Sequence, residues 1–145
     1  MIPCRAEILE FGSKAQIQSV GLRYEVLRKP LGLVFHPEDL NAESSETHFG
    51  LLRGELVVAV LLIKKVSDTE AKMRQVAVLP DEQGHGHGKQ LVKFCEKWCT
   101  LNGFDFISLH ARETAVPFYL SQGYSLVSER FEEVGIPHFK MMKQL

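Results

Sequence analysis

The sequence predicts an α/β (α+β) fold, and three observations predict it. Apolar stretches of strand character, such as Leu56–Ile63 and Met73–Leu79, alternate with stretches of helical periodicity. A glycine-rich loop, Gln83-Gly84-His85-Gly86-His87-Gly88-Lys89, stands between an extended run closed by Pro80 and an amphipathic segment. The 145 residues suffice for one domain with a real core, so a single domain over 1–145 is expected, without repeat or linker.

The elements follow in order. Residues 4–11 read as a short edge strand. Gly12-Ser13 begins a turn in which Ser13 can cap a helix over 14–29, where Ile17, Val20, Tyr24 and Leu27 recur at helical spacing beside Leu22. Pro30 and Gly32 end that helix. Residues 31–46 read as a loop with room for one helical turn, long enough to be functional. Its acids Glu38, Asp39, Glu43 and Glu46 could attract a cationic substrate, but a solvated loop is the expectation. Strands are expected at 48–53 and 55–66, forming a hairpin around Arg53-Gly54, and at 72–79. The middle one is almost wholly apolar and so should be covered on both faces. Leu91, Val92, Cys95, Trp98 and Cys99 form the buried stripe of a helix over 88–102, with Lys89, Lys93, Glu96 and Lys97 on its wet side and Gly103 at C′. A strand at 104–110, a short helix at 114–122 closed by Gly123, and strands at 124–130 and 139–143 complete the chain.

Composition narrows the function classes. The formal charge is −1, with no basic face for nucleic acid and no block of like charge. The longest apolar run, Leu56–Ile63, is far short of the ~20 residues that span a bilayer, and Met-Ile-Pro-Cys-Arg has no signal-peptide core. Three cysteines do not make a disulfide framework. A reduced, cytoplasmic setting is expected, with neither nucleic acid nor membrane as partner.

The glycine loop has the form of a diphosphate cradle. The first turn of a helix carries unpaired N–H groups and partial positive charge, glycines let backbone amides close on a phosphate, and Lys89 adds a point charge. A Walker A loop fails, because its first glycine falls at Gln83 and its hydroxyl at Gln90. A dinucleotide fingerprint fails at its third glycine, which falls at Lys89 or Leu91. The pattern Gln/Arg-x-x-Gly-x-Gly/Ala fits in full as Gln83-x-x-Gly86-x-Gly88. With Ala115-x-x-Phe118-Tyr119-x-x-x-Gly123-Tyr124 downstream and the order of elements given above, the sequence resembles the GNAT superfamily of N-acyltransferases over about residues 5–143. Its tail, from Glu132 to Met142, looks like the small ElaA-like branch.

The resemblance implies a mixed, mostly antiparallel central sheet flanked by helices, with splayed middle strands. It implies transfer of an acetyl group from acetyl-CoA, as co-substrate and without a metal, to a primary amine of a small molecule. A protein lysine or N-terminal amine, or a non-catalytic acyl-CoA-binding module, is the alternative. The amides of Gln83, Gly84, His85, Gly86, His87, Gly88 and Lys89 would take the diphosphate, and the backbone of Val76, Ala77 and Val78 the pantetheine arm. A backbone N–H in the latter run would face the oxyanion. Tyr119 would donate a proton to the departing sulfur, with its reference pKa of ~10 keeping it protonated. For the base, His110 comes first, with Glu133 and His138 next. Many members carry Asn where Arg112 stands here, so that pantetheine contact is not carried over. His85-x-His87 resembles a metal pair, yet no third and fourth ligand lies nearby in sequence, and phosphate-facing or solvated histidines are expected instead. Residues 31–46 and 131–138 are the expected acceptor loops, and the apolar late strands could support a homodimer.

Overall fold

A computed structural model describes residues Ile2–Leu145. Its strands are β1 (Arg5–Leu9), β2 (Thr47–Arg53), β3 (Leu56–Lys65), β4 (Glu70–Val78), β5 (Phe106–Arg112), β6 (Ser125–Leu126), β7 (Phe131–Glu133) and β8 (Ile136–Gln144). Its α-helices are α1 (Lys14–Arg23), α2 (Pro37–Ala42), α3 (His87–Leu101) and α4 (Val116–Ser121). The strands follow one hydrogen-bonded path, β1-β2-β3-β4-β5-β8-β6, with β7 on β8. The β1–β2, β2–β3, β5–β8, β6–β8 and β7–β8 pairs are antiparallel and β4–β5 is parallel, so the mixed, mostly antiparallel sheet expected of the sequence is present. The chain divides into two compact units.

The first unit holds the described residues up to Lys64 together with Gln75–Cys95. Its core joins Leu9, Leu22, Leu52, Val57, Val60, Leu62 and Ala77. Val57–Ile63 is buried at every position, as a strand covered on both faces requires. On α3, Leu91, Val92 and Cys95 are fully buried, and Phe94 meets Phe49 edge-on at 6.1 Å. Ser13 caps α1 as its position predicts, its Oγ accepting from the Gln16 N–H at 3.2 Å.

The face of α1 differs from the predicted one. Gln16, Ser19, Leu22 and Arg23 are buried, whereas Ile17 is 62% exposed. Polar partners explain the reversal. Gln16 Oε1 accepts from the Gly12 N–H at 3.0 Å, Ser19 Oγ donates to the Gln16 carbonyl at 2.5 Å, and Arg23 enters an ionic cluster. The helical path continues past Arg23 as a wider π-type turn, Tyr24–Arg28, and a 3₁₀ turn, Lys29–Leu31, that ends at Gly32 with φ 69°.

The second unit holds Lys65–Arg74 and Glu96–Leu145. Here β4 pairs with β5 from Glu70↔Phe106 to Met73↔Leu109, and β5 pairs with β8 from Phe106↔Gln144 to Arg112↔His138. Ala71, Met73, Ile107, Leu109, Ala111 and Met141 form its buried face. Glu96 does not belong to the wet side of α3. It accepts from Tyr124 Oη at 2.9 Å and from Lys143 Nζ at 3.1 Å, and Lys143 also donates to the Gln122 carbonyl at 2.8 Å. That cluster fixes the end of α4, where Gly123 turns with φ 93°.

The expected strand over 124–130 shrinks to Ser125–Leu126, and the expected loop at 131–138 is a hairpin. Phe131, Glu132 and Glu133 pair with His138, Pro137 and Ile136. Val134 (φ 48°) and Gly135 (φ 78°) form its tip, the pair of left-handed residues that a tight two-residue turn demands.

Candidate active site

Within the first unit, β4 runs into a 3₁₀ turn, Pro80–Glu82, then the glycine loop, then α3. Gly84 (φ 82°) and Gly86 (φ 79°) both lie in the left-handed region, and a Cβ built on either meets nothing within 4 Å. The glycines serve backbone conformation, and the space over them is open. The Gln90 N–H already donates to the Gly86 carbonyl at 3.0 Å, so helical bonding starts at the loop and amides before Gln90 lack an intrahelical partner. An anionic diphosphate fits this arrangement of residues. Gln83 folds back, its Nε2 donating to the Val78 carbonyl at 3.1 Å, and so ties the loop to the end of β4. The β4 segment that contains Val76, Ala77 and Val78 lies beyond the last β4–β5 pair, Met73↔Leu109.

Glu82 braces the loop from below. Its carboxylate accepts from Arg53 Nη1 at 3.0 Å, from Arg53 Nη2 and from His87 Nε2 at 3.0 Å. The Arg53 hydrogen bond, then that of His87, holds the Glu82 carboxyl down to about 2 against a partial desolvation that acts the other way. Among the described residues no group of His, Cys, Asp and Glu is arranged to hold a metal. The rings of His85 and His87 stack at 5.9 Å, and His87 is engaged by Glu82.

A second cluster in the same unit was not visible in the sequence. Arg23 is fully buried and grips Glu43 with two bonds, Nη1 to Oε2 at 2.9 Å and Nη2 to Oε1 at 2.8 Å. Gln75 Oε1 accepts from Arg23 Nη1 at 2.7 Å, and Gln75 Nε2 donates to Glu43 Oε2 at 3.2 Å. Glu43 is therefore no solvated loop acid, unlike Glu38 and Asp39, which are exposed. Burial of Arg23 demands a counter-charge, and Glu43 supplies it.

Within the second unit, the β7–β8 hairpin carries Glu133 to His110 on β5. His110 Nδ1 lies 3.0 Å from Glu133 Oε1, and His138 Nε2 lies 3.6 Å from Glu133 Oε2. Phe131 lies between the two imidazoles, edge-on to His110 at 5.1 Å and stacked on His138 at 6.0 Å. All three candidate bases thus fall in one cluster. Partial burial pushes the Glu133 carboxyl up, but the hydrogen bond from His110 and the charges of His110, His138 and Lys72 outweigh it, and its pKa falls below the ordinary carboxyl value. An ionised carboxylate only accepts, so His110 Nδ1 carries the proton of this bond, and in the neutral form of the ring the lone pair lies on Nε2. The His138 Nδ1–H donates to the Ile136 carbonyl at 2.9 Å, which fixes that ring.

Tyr119, on α4, is 7% exposed and packs edge-on against Phe118 at 5.1 Å and Tyr124 at 5.7 Å. Among the described residues its hydroxyl has no hydrogen-bond partner. Burial pushes the phenol above its ordinary pKa, so it is a protonated donor at neutral pH. The hairpin that delivers Glu133 had a sequence signal, since Val134-Gly135 between Glu133 and Ile136 places glycine at the second position of a two-residue turn.

A parallel β4–β5 pair in a mostly antiparallel sheet, with a glycine loop between β4 and a helix, is the arrangement expected of an acyl-CoA-dependent acyltransferase. A family model described as the acetyltransferase (GNAT) domain matches residues 34–145. The Bacillus subtilis N-acetyltransferase YjcF, whose own function is uncharacterised, is 32% identical over 123 residues, 84% of this chain and 87% of that protein. The chain belongs to the GNAT family and is an acetyl-CoA-dependent N-acetyltransferase. Its fold matches Escherichia coli ElaA at a TM-score of 0.81, with 24% identity over 99% of this chain and 100% of that one. It also matches a GNAT acetyltransferase of Elizabethkingia anophelis solved with acetyl-CoA bound, at a TM-score of 0.77 and 12% identity over 98% of both chains. No helix among the described residues is long and apolar enough to cross a membrane.

Proposed function

We propose that the protein transfers the acetyl group of acetyl-CoA to a primary amine of a small molecule, by direct attack in a ternary complex. The observation that carries the mechanism is the bond between His110 Nδ1 and Glu133 Oε1 at 3.0 Å, which makes Nε2 the proton acceptor of the neutral ring. A lysine-like amine has a reference pKa of ~10.4 and is protonated at neutral pH, so attack requires that a proton leave first. His110 takes it, and Glu133 faces the positive charge that forms on the ring. This division of labour is that of a histidine base oriented by a carboxylate.

The amine nitrogen then bonds to the thioester carbonyl carbon, the C–S bond breaks, the sulfur receives a proton from the Tyr119 hydroxyl, and the second proton released by the nitrogen as the amide forms restores that hydroxyl. The amides of Gly84–Lys89 hold the diphosphate, the Gln83 N–H being taken by the Pro80 carbonyl at 3.3 Å, and the backbone of Val76, Ala77 and Val78 holds the pantetheine arm and faces the carbonyl oxygen. The relative solved with acetyl-CoA supports the choice of acyl donor. Glu133 and His138 act through His110 and are positioning groups.

The test is CoA release from acetyl-CoA across a panel of small primary amines, with a lysine peptide and a peptide with a free N-terminus as comparators. Release that depends on a small amine supports the reading. Release with the peptides alone moves the acceptor to protein amines, and release that no acceptor raises above the acceptor-free rate refutes transfer to these amines.

A further inference from the structure

Gln75 is the one residue inside a β-strand of the described chain that has a left-handed backbone, with φ 53°. A side chain with a Cβ takes that conformation only where its surroundings hold it there. Both ends of the Gln75 amide are held. Its Oε1 accepts from Arg23 Nη1 at 2.7 Å and its Nε2 donates to Glu43 Oε2 at 3.2 Å. Each partner is itself fixed. Arg23 is fully buried, gripped twice by Glu43, and its guanidinium carbon stands 5.0 Å over the Phe35 ring. The Glu43 carbonyl accepts from His48 Nε2 at 2.8 Å, which pins that turn to β2.

A buried ion pair is a poor source of stability, because desolvation of both charges cancels most of the attraction. This one is even incompletely satisfied, since Arg23 Nε has no partner. Such a cluster is better suited to specifying a conformation. The conformation it touches is the kink directly before Val76, Ala77 and Val78.

We propose that Arg23, Glu43 and Gln75 are positioning residues that clamp the left-handed kink of β4, and that through them the 36–46 segment is coupled to the backbone that holds acetyl-CoA. The coupling half rests on the function proposed above; the clamp half does not. Because Glu43 comes from the turn that follows α2, any ligand that moves that turn pulls on Gln75 and thereby on the amides after it.

The test compares wild type with Gln75→Ala, Gln75→Gly and Glu43→Gln by residue-resolved amide hydrogen exchange and by acetyl-CoA titration. Glycine accepts φ 53° without strain, so Gln75→Gly separates backbone preference from the side-chain clamp. Expected are exchange at 76–78 raised about tenfold or more in all three variants, unchanged exchange in the β2–β3 core, and acetyl-CoA affinity lowered about tenfold. Wild-type exchange in Gln75→Gly, or a rise spread evenly over the fold, overturns the clamp. Raised exchange with unchanged acetyl-CoA affinity overturns the coupling. Wild-type protein that does not bind acetyl-CoA refutes the function and the coupling together, while the exchange result still decides the clamp.

Discussion

His110 Nδ1 and Glu133 Oε1, on residues 23 positions apart in sequence, stand 3.0 Å from each other. The hydrogen bond places a proton on His110 Nδ1, so in the neutral ring Nε2 is the nitrogen that can accept one. Replacing the carboxylate by an amide of the same shape should spoil that choice, because the new amide can offer an N–H to Nδ1. Glu133→Gln is therefore expected to lower kcat about tenfold or more and to shift the lower limb of the pH–rate profile. His110→Ala should lower kcat more, by about a hundredfold, and remove that limb. An unaltered profile in His110→Ala excludes His110 as the base.

Tyr119 has no hydrogen-bond partner among the described residues, and its phenol is pushed up by burial. Tyr119→Phe keeps the ring that packs on Phe118 and Tyr124 and removes only the donor. Its kcat is expected to fall about a hundredfold with acetyl-CoA affinity little changed. Turnover equal to wild type shows that the departing sulfur takes its proton elsewhere.

Glu82 supplies a pH dependence of stability whose sign is fixed. Its carboxyl titrates at about 2 in the folded chain and at its ordinary 4.5 once unfolded, so between those values the unfolded state binds more protons. The stabilisation is fully present above 4.5 and is lost as pH falls toward 2. Urea unfolding at several pH values should show a steeper rise of stability with pH in that window for wild type than for Glu82→Gln. Equal slopes contradict the brace assigned to Arg53, Glu82 and His87.

Val134 is β-branched, 48% exposed and left-handed at φ 48°, so the hairpin tip is strained by its own sequence. Val134→Asn should relieve that strain and stabilise the protein by about 1 kcal/mol, read as a rise of about 3 °C in Tm. A fall in Tm shows that the valine side chain contributes packing at this turn.

What the sequence disclosed was what is set locally. The β3 strand, the buried stripe of α3, the Ser13 cap and the glycine loop each follow from periodicity or from the needs of one turn, and the structure has all of them. The two clusters of charge are different in kind. Arg23 meets Glu43 from 20 positions away and Gln75 from 52, and no spacing rule announces such meetings. The same hidden partners put Arg23 on the buried face of α1, and placed Glu43 inside rather than in solvent. Gln75 has no sequence mark of a left-handed residue, because its conformation is held by tertiary bonds. The His110, Glu133 and His138 group was visible as three separate candidates, and only the β5–β8 and β7–β8 pairings join them.

The loop assignment has its own variant. Gly86→Glu places a charged side chain at a left-handed position in the open space over the loop, and it should abolish acetyl-CoA binding by titration. Unchanged affinity would move the diphosphate away from this loop.

The measurement that bears most directly on the whole account is thermal unfolding of the wild-type protein with acetyl-CoA, ATP or NAD. A ligand at 100 times its Kd should stabilise the folded chain by about 2.7 kcal/mol, a rise of several degrees in Tm. That rise is expected with acetyl-CoA and not with the two nucleotides. No rise with acetyl-CoA, or an equal rise with all three, contradicts it.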